Sequence, residues 1–155
     1  MENQEELVGV LNDLIQINND RVVGYERAIK ESKDMDVDLI AIFNEMANQS
    51  RQYAAQLTQE VSRFGGDPAK NTTMSGKVYR VWMDLKAAIT GKDRETILGN
   101  CEYGEDVAQR AYDAAIESDA YMSAEVRQMI TSQKSNLKTS HDLIKKYRDL
   151  HEKVS

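Results

Sequence analysis

One ionisable residue interrupts an otherwise apolar helical stripe. Ile97, Leu98, Cys101, Glu105, Ala108, Tyr112 and Ala115 recur at intervals of three and four residues, which puts them on one face of an α-helix. A carboxylate on that face is costly unless it is paired, hydrogen-bonded or bound to a cation, so Glu105 limits what can surround it. The same pattern stands 87 residues earlier, in the segment INNDRVVGYERAI that ends at Ile29. The shift sets Val10 on Ile97, Leu11 on Leu98, Leu14 on Cys101, Tyr25 on Tyr112, Ala28 on Ala115 and Ile29 on Ile116. It also sets Asn18 opposite Glu105. A duplicated helical hairpin, with polar residues at matched points of its seams, is the expected architecture.

Long helices need few breakers, and the 155 residues contain one proline, Pro68, and eight glycines. With 41% hydrophobic and 30% charged residues the chain can bury a core, and its length suits one all-α domain spanning 1–155. The first helix is expected from about Gln4 to Lys33, with Leu7, Leu11, Leu14, Asn18, Val22, Tyr25 and Ile29 inward. Asp36 then caps a second helix running to about Phe64, with Leu39, Ile42, Met46, Gln49, Tyr53, Leu57, Val61 and Phe64 inward. Gly65-Gly66-Asp67-Pro68 stops it. A long connection follows with its own amphipathic helix at about 73–90, carrying Val78, Val81, Trp82, Leu85 and Ile89 on one side. A third helix is expected from about Asp93 to Ser118. The fourth is capped by Ser123 and extends to about His151, with Val126, Ile130, Gln133, Leu137, Ile144 and Tyr147 inward. The domain thus divides into a hairpin at about 4–65, a crossover and a second hairpin at about 93–152.

The fourth helix matches the second after a shift of 84, which sets Ile42 on Val126, Met46 on Ile130, Gln49 on Gln133 and Gln52 on Asn136. Together the four helices bring Asn18, Gln49 with Gln52, Glu105, and Gln133 with Asn136 to one level of a bundle. The stretches GGDPAKN and EYGEDVAQRAYDAA, with a helix in the crossover between hairpins, resemble a bacterial ferritin-like four-helix-bundle family of unknown function. That family is a distant relative of the rubrerythrin and ferritin di-iron bundles. The resemblance implies an antiparallel ferritin-like bundle and no established activity.

Di-metal carboxylate bundles carry a Glu on each of two helices and a Glu-x-x-His on each of the other two. Here those places read Asn18, Gln49-Ser-Arg-Gln52, Glu105 and Gln133-Lys-Ser-Asn136. Only Glu105 keeps a carboxylate, and amides stand where histidines would. Carboxamide oxygens are weak neutral ligands, so the expectation is a degenerate site without metal or other cofactor. Asn18, Gln49, Gln52, Gln133 and Asn136 would then satisfy one another and Glu105 as a buried polar layer. Iron or manganese is the alternative, with Glu26, Glu45, Glu102 or His141 rebuilding a ligand set. Each of these reads first as a solvated or bundle-edge residue, because its helical neighbours are largely polar.

The net charge of −6, with both signs interleaved, lacks the basic stripe that neutralises phosphates, so no nucleic acid is expected as a partner. No stretch approaches the ~20 apolar residues of a membrane span, and the opening MENQEELVGVLNDLI lacks a signal-peptide pattern, so no membrane is expected either. Cys101, the sole cysteine, reads as a small buried hydrophobe and suits a reducing, cytoplasmic setting. No phosphate loop, Cys-His zinc spacing or nucleophile elbow is present, and no catalytic residue is assigned. The crossover face of Tyr79, Trp82 and Met83 offers anchors for a protein partner or self-association. The functional expectation is a non-enzymatic interaction or stress-associated module. The alternative is a metal-dependent oxidase or iron-handling protein using Glu105, and a small-molecule pocket between the helices is a third reading.

Overall fold

The computed structural model describes residues 2–32, 36–71 and 94–154. The expected crossover helix, with Tyr79, Trp82 and Met83, lies outside the described residues. Within them the chain forms four helices: α1 (Glu2–Glu31), α2 (Val37–Arg63), α3 (Arg94–Glu117) and α4 (Ala124–Val154). Helix α1 packs on α2 and on α3, and α3 packs on α4.

Local chemistry accounts for the ends. Helix α1 stops two residues earlier than expected, where the Ser32 N–H reaches the carbonyls of Ala28 and Ile29 and its hydroxyl donates to Ala28 O at 2.7 Å. Asp36 stands at the N-cap of α2, but its side chain makes no capping bond. Its ψ of 49° lies outside the extended geometry that aims an N-cap oxygen at the free N–H groups, which is why the expected cap does not form. Ser123 does cap α4, its hydroxyl accepting the Val126 N–H at 3.2 Å.

The second helix ends as its glycines require. Gly65 adopts φ +77°, a left-handed conformation that L side chains resist, and the Gly66 N–H closes on Val61 O at 2.9 Å. A Cβ on Gly66 would lie 2.7 Å from Val8 Cγ1, so only glycine lets the turn pass beneath the start of α1. Asn12 then holds the departing chain from both sides. Its amide donates to Asp67 O at 3.0 Å and its oxygen accepts the Ala69 N–H at 2.8 Å. Asn19 reaches Asn71 O at 3.1 Å. The connection therefore sets off along the flank of α1.

Two apolar clusters fill the bundle. One joins Leu7, Leu11, Leu14, Leu57, Val61, Tyr112, Val126 and Ile130 near the start of α1, and the other joins Tyr25, Ala28, Leu39, Phe43, Ile97, Leu98 and Ile144 near its end. Every residue of the α3 stripe, from Ile97 to Ala115 and including Cys101 and Glu105, is buried. The inward set differs elsewhere. In α2 the buried line passes through Phe43, Ala47 and Ser50, leaving Ile42 and Gln49 half-buried. Val22, Ile29, Phe64 and Tyr147 are likewise half-buried, at the margins of the core. Among the described residues no helix is long and apolar enough to cross a membrane.

Candidate functional site

Polar side chains from all four helices meet between the two apolar clusters, and a residue absent from the expected seam organises them. Arg21 on α1 is fully buried, as is Glu105 on α3, and Arg21 Nε donates to Glu105 Oε1 at 2.7 Å. Its Nη1 donates to Ser50 Oγ and its Nη2 to Gln49 Oε1 at 3.3 Å, both on α2. The guanidinium also stands 5.4 Å from the centroid of the Tyr25 ring, within cation–π range. Tyr25 Oη makes the second hydrogen bond to Glu105 Oε1, at 2.8 Å, while Oε2 is buried without a hydrogen-bond partner.

A second branch runs from Asn18. Its amide donates to Leu14 O and to Tyr112 Oη, both at 2.9 Å, and its oxygen accepts the Ser50 hydroxyl at 2.9 Å. Tyr112 Oη donates to Gln133 Oε1 at 2.6 Å, and Gln133 Nε2 donates to Gln56 Oε1 at 2.9 Å. Ser140 on α4 closes the layer by donating to Gln49 Oε1 at 3.0 Å. Ser50 thus links the two branches, receiving from Arg21 and donating to Asn18.

The electrostatics follow from burial and this pairing. Burial is the strongest single influence and pulls the Arg21 guanidinium toward deprotonation, but the Glu105 carboxylate together with Tyr25 and Tyr112 outweighs it and leaves the pKa above its ordinary value. Burial pushes the Tyr25 hydroxyl well up, and the charge on Glu105 pushes it further. Burial also raises Tyr112, against a smaller opposing pull from the Asn18 hydrogen bond. Both tyrosines are held neutral, as donors.

Of the residues expected in this layer, Asn18, Glu105 and Gln133 are buried in it, and Gln49 lies at its edge. Gln52 and Asn136 do not join it. Each stands one position short of its helix's buried line, next to Tyr53 and Leu137, so the ~100° turn per residue carries it to the surface. There both line a groove of about 660 Å³ between α2 and α4, with Asn48, Gln49 and Ser140. Asn18 and Gln133 meet at Tyr112 rather than at Glu105, Gln49 accepts from Arg21 and Ser140, and the polar contacts of Glu105 are Arg21 and Tyr25. Sequence spacing contained the missing signal, since Arg21 falls three residues after Asn18 and four before Tyr25. Val22 satisfies the same spacing in reverse, four after and three before, and its apolar side chain made it the expected inward residue.

The further carboxylates and His141 lie apart from the layer. Glu26 is exposed and pairs with Arg51 at 2.9 Å, and Glu45 is exposed on the rim of the groove. Glu102 and His141 face each other across the outer seam of α3 and α4. A di-metal centre needs several converging anionic or imidazole ligands. The layer offers one carboxylate, a permanent cation beside it, and two neutral tyrosine donors, so its residues do not fit such a centre.

The fold has a close solved counterpart. A point mutant of Mycobacterium smegmatis Dps1 superposes with a TM-score of 0.79 at 11% sequence identity, covering 95% of this chain and 97% of that one. The molecule is an all-α, ferritin-like four-helix bundle. A comparison with curated protein sequences gave no match. The family model "Domain of unknown function (DUF2383)" matches residues 6–118, well over half of the chain, and the protein belongs to that family.

Proposed function

We propose that this protein is a non-enzymatic interaction or stress-associated bundle in which a degenerate di-metal site has become a charge-paired polar layer. The observation that carries this reading is the Arg21–Glu105 pair, both side chains 0% exposed. The guanidinium supplies beside Glu105 the positive charge that metal ions supply in di-metal bundles, and it cannot be titrated away at physiological pH. Its planar donors also tie α1 to α2 and α3, so the layer specifies how the helices meet. The duplicated hairpin is part of the same proposal. Tyr25 reaches Glu105 and Tyr112 reaches Asn18, two contacts related by the 87-residue shift. A cytoplasmic setting, and a partner or second copy on the surface, complete the reading.

The competing reading is an iron- or manganese-dependent oxidase or iron-handling protein built on Glu105. The two separate by elemental mass spectrometry after anaerobic loading with Fe(II) or Mn(II) and desalting. The proposal expects the metal content of Glu105→Gln to equal that of the parent protein. About two metals per chain, lost in Glu105→Gln, would overturn it and put the oxidase first.

A further inference from the structure

We propose a mononuclear divalent-metal site on the outer seam of α3 and α4, formed by Glu102, Asp106 and His141. Glu102 and Asp106 lie one turn apart on α3, and His141 faces them from α4. One ligand atom of each lies within 4.8 Å of the other two. Metal–ligand bonds of about 2.0–2.1 Å would need these atoms roughly 3–4 Å apart, which small rotamer adjustments reach. The site is independent of the inner layer. Glu105 points into the core from the same helix, while Asp106, the next residue, turns outward and is 43% exposed.

The orientation of His141 carries the inference beyond a mere grouping of carboxylates. Its Nδ1 stands 3.1 Å from Asp142 Oδ1 and its Nε2 2.6 Å from Asp106 Oδ1. Asp142 on Nδ1 fixes the ring so that Nε2 faces Asp106, and a cation entering the seam would take the place of that direct contact. A carboxylate on the far nitrogen is also how proteins orient and strengthen a metal-bound histidine. Glu102 is held on the seam by the ion pair of its Oε2 with Arg148 Nη1, and a carboxylate can keep such a pair on one oxygen while offering the other to the cation.

The donor set selects the ion. Two carboxylates neutralise a divalent charge, and the imidazole favours zinc, manganese or ferrous iron over calcium or magnesium. Three protein ligands leave a coordination position for water or substrate.

The test is calorimetric titration of the full-length, chelator-stripped protein with Zn(II), repeated with Co(II) so that its visible absorption reports the coordination. The site expects one saturable equivalent per chain, lost in His141→Ala and in Asp106→Asn. Asp142→Asn, which removes only the orienting carboxylate, is expected to weaken binding about 10–100-fold. Circular dichroism of each metal-free variant separates lost ligation from lost folding. Glu105→Gln should keep the full equivalent. Absence of a saturable equivalent overturns the site and leaves the inner-layer reading standing. Binding that survives His141→Ala and Asp106→Asn together overturns it too. Binding that instead disappears in Glu105→Gln overturns both.

Discussion

Burying Arg21 and Glu105 strips two charges of their water, and each makes the other tolerable. Removing one member of such a pair leaves an uncompensated charge, which costs roughly 3–5 kcal/mol, whereas replacing both by apolar groups is often neutral or stabilising by about 1–4 kcal/mol. Glu105→Ala is therefore expected to lower stability in urea unfolding by about 3–5 kcal/mol, and Arg21→Met with Glu105→Leu to restore or exceed the parent value. An isolated buried carboxylate would behave in the opposite way, its removal raising stability. Glu105 was visible in the sequence because it breaks an apolar stripe. Arg21 was not, because a long cationic side chain beside an apolar neighbour of equivalent spacing reads as surface until the helix's rotation is known.

At the scale of elements, the ends of the helices obey two separate constraints at adjacent glycines. Gly65 is needed for its backbone conformation and Gly66 for the space taken by Val8. Gly65→Ala should cost roughly 1–2 kcal/mol through left-handed strain. Gly66→Ala should cost about 1–3 kcal/mol through the clash. A double-mutant cycle distinguishes them, since Val8→Ala should relieve the second loss and not the first. Both glycines were legible as a stop signal. The inward face of α2 was less so: Leu39, Met46 and Tyr53 lie inward as expected, but Phe43 and Ser50 are buried where Ile42 and Gln49 were expected. Ser50 then sits where it can bridge Arg21 and Asn18, and a serine has no hydrophobic signature by which to predict that role.

For the whole molecule, the polar layer predicts a sensitivity to alkali. Tyr25 and Tyr112 both have folded-state pKa values above their ordinary value of ~10. Below pH ~10 their hydroxyls are neutral in both states, and the stability they contribute is fully present. Above it the unfolded chain loses these protons while the folded one retains them. Unfolding then releases protons, and stability falls as pH rises toward the folded values. Unfolding followed by circular dichroism from pH 8 to 11 should show this decline, and Tyr25→Phe and Tyr112→Phe should each flatten it.

The sequence by itself determined the helical class, the position of the breaks, the α3 stripe and the polar interruptions at Asn18, Glu105 and Gln133. All of these follow from periodicity along one chain, or from backbone limits local to a turn. Tertiary structure alone decided that Arg21 pairs with Glu105, that Gln52 and Asn136 face a groove, and that Asp106 stands against His141. Those outcomes depend on how far each helix is rotated about its axis and on which helix lies opposite. One residue of rotation is ~100°, enough to exchange inside for outside, and only packing against the other three helices sets it.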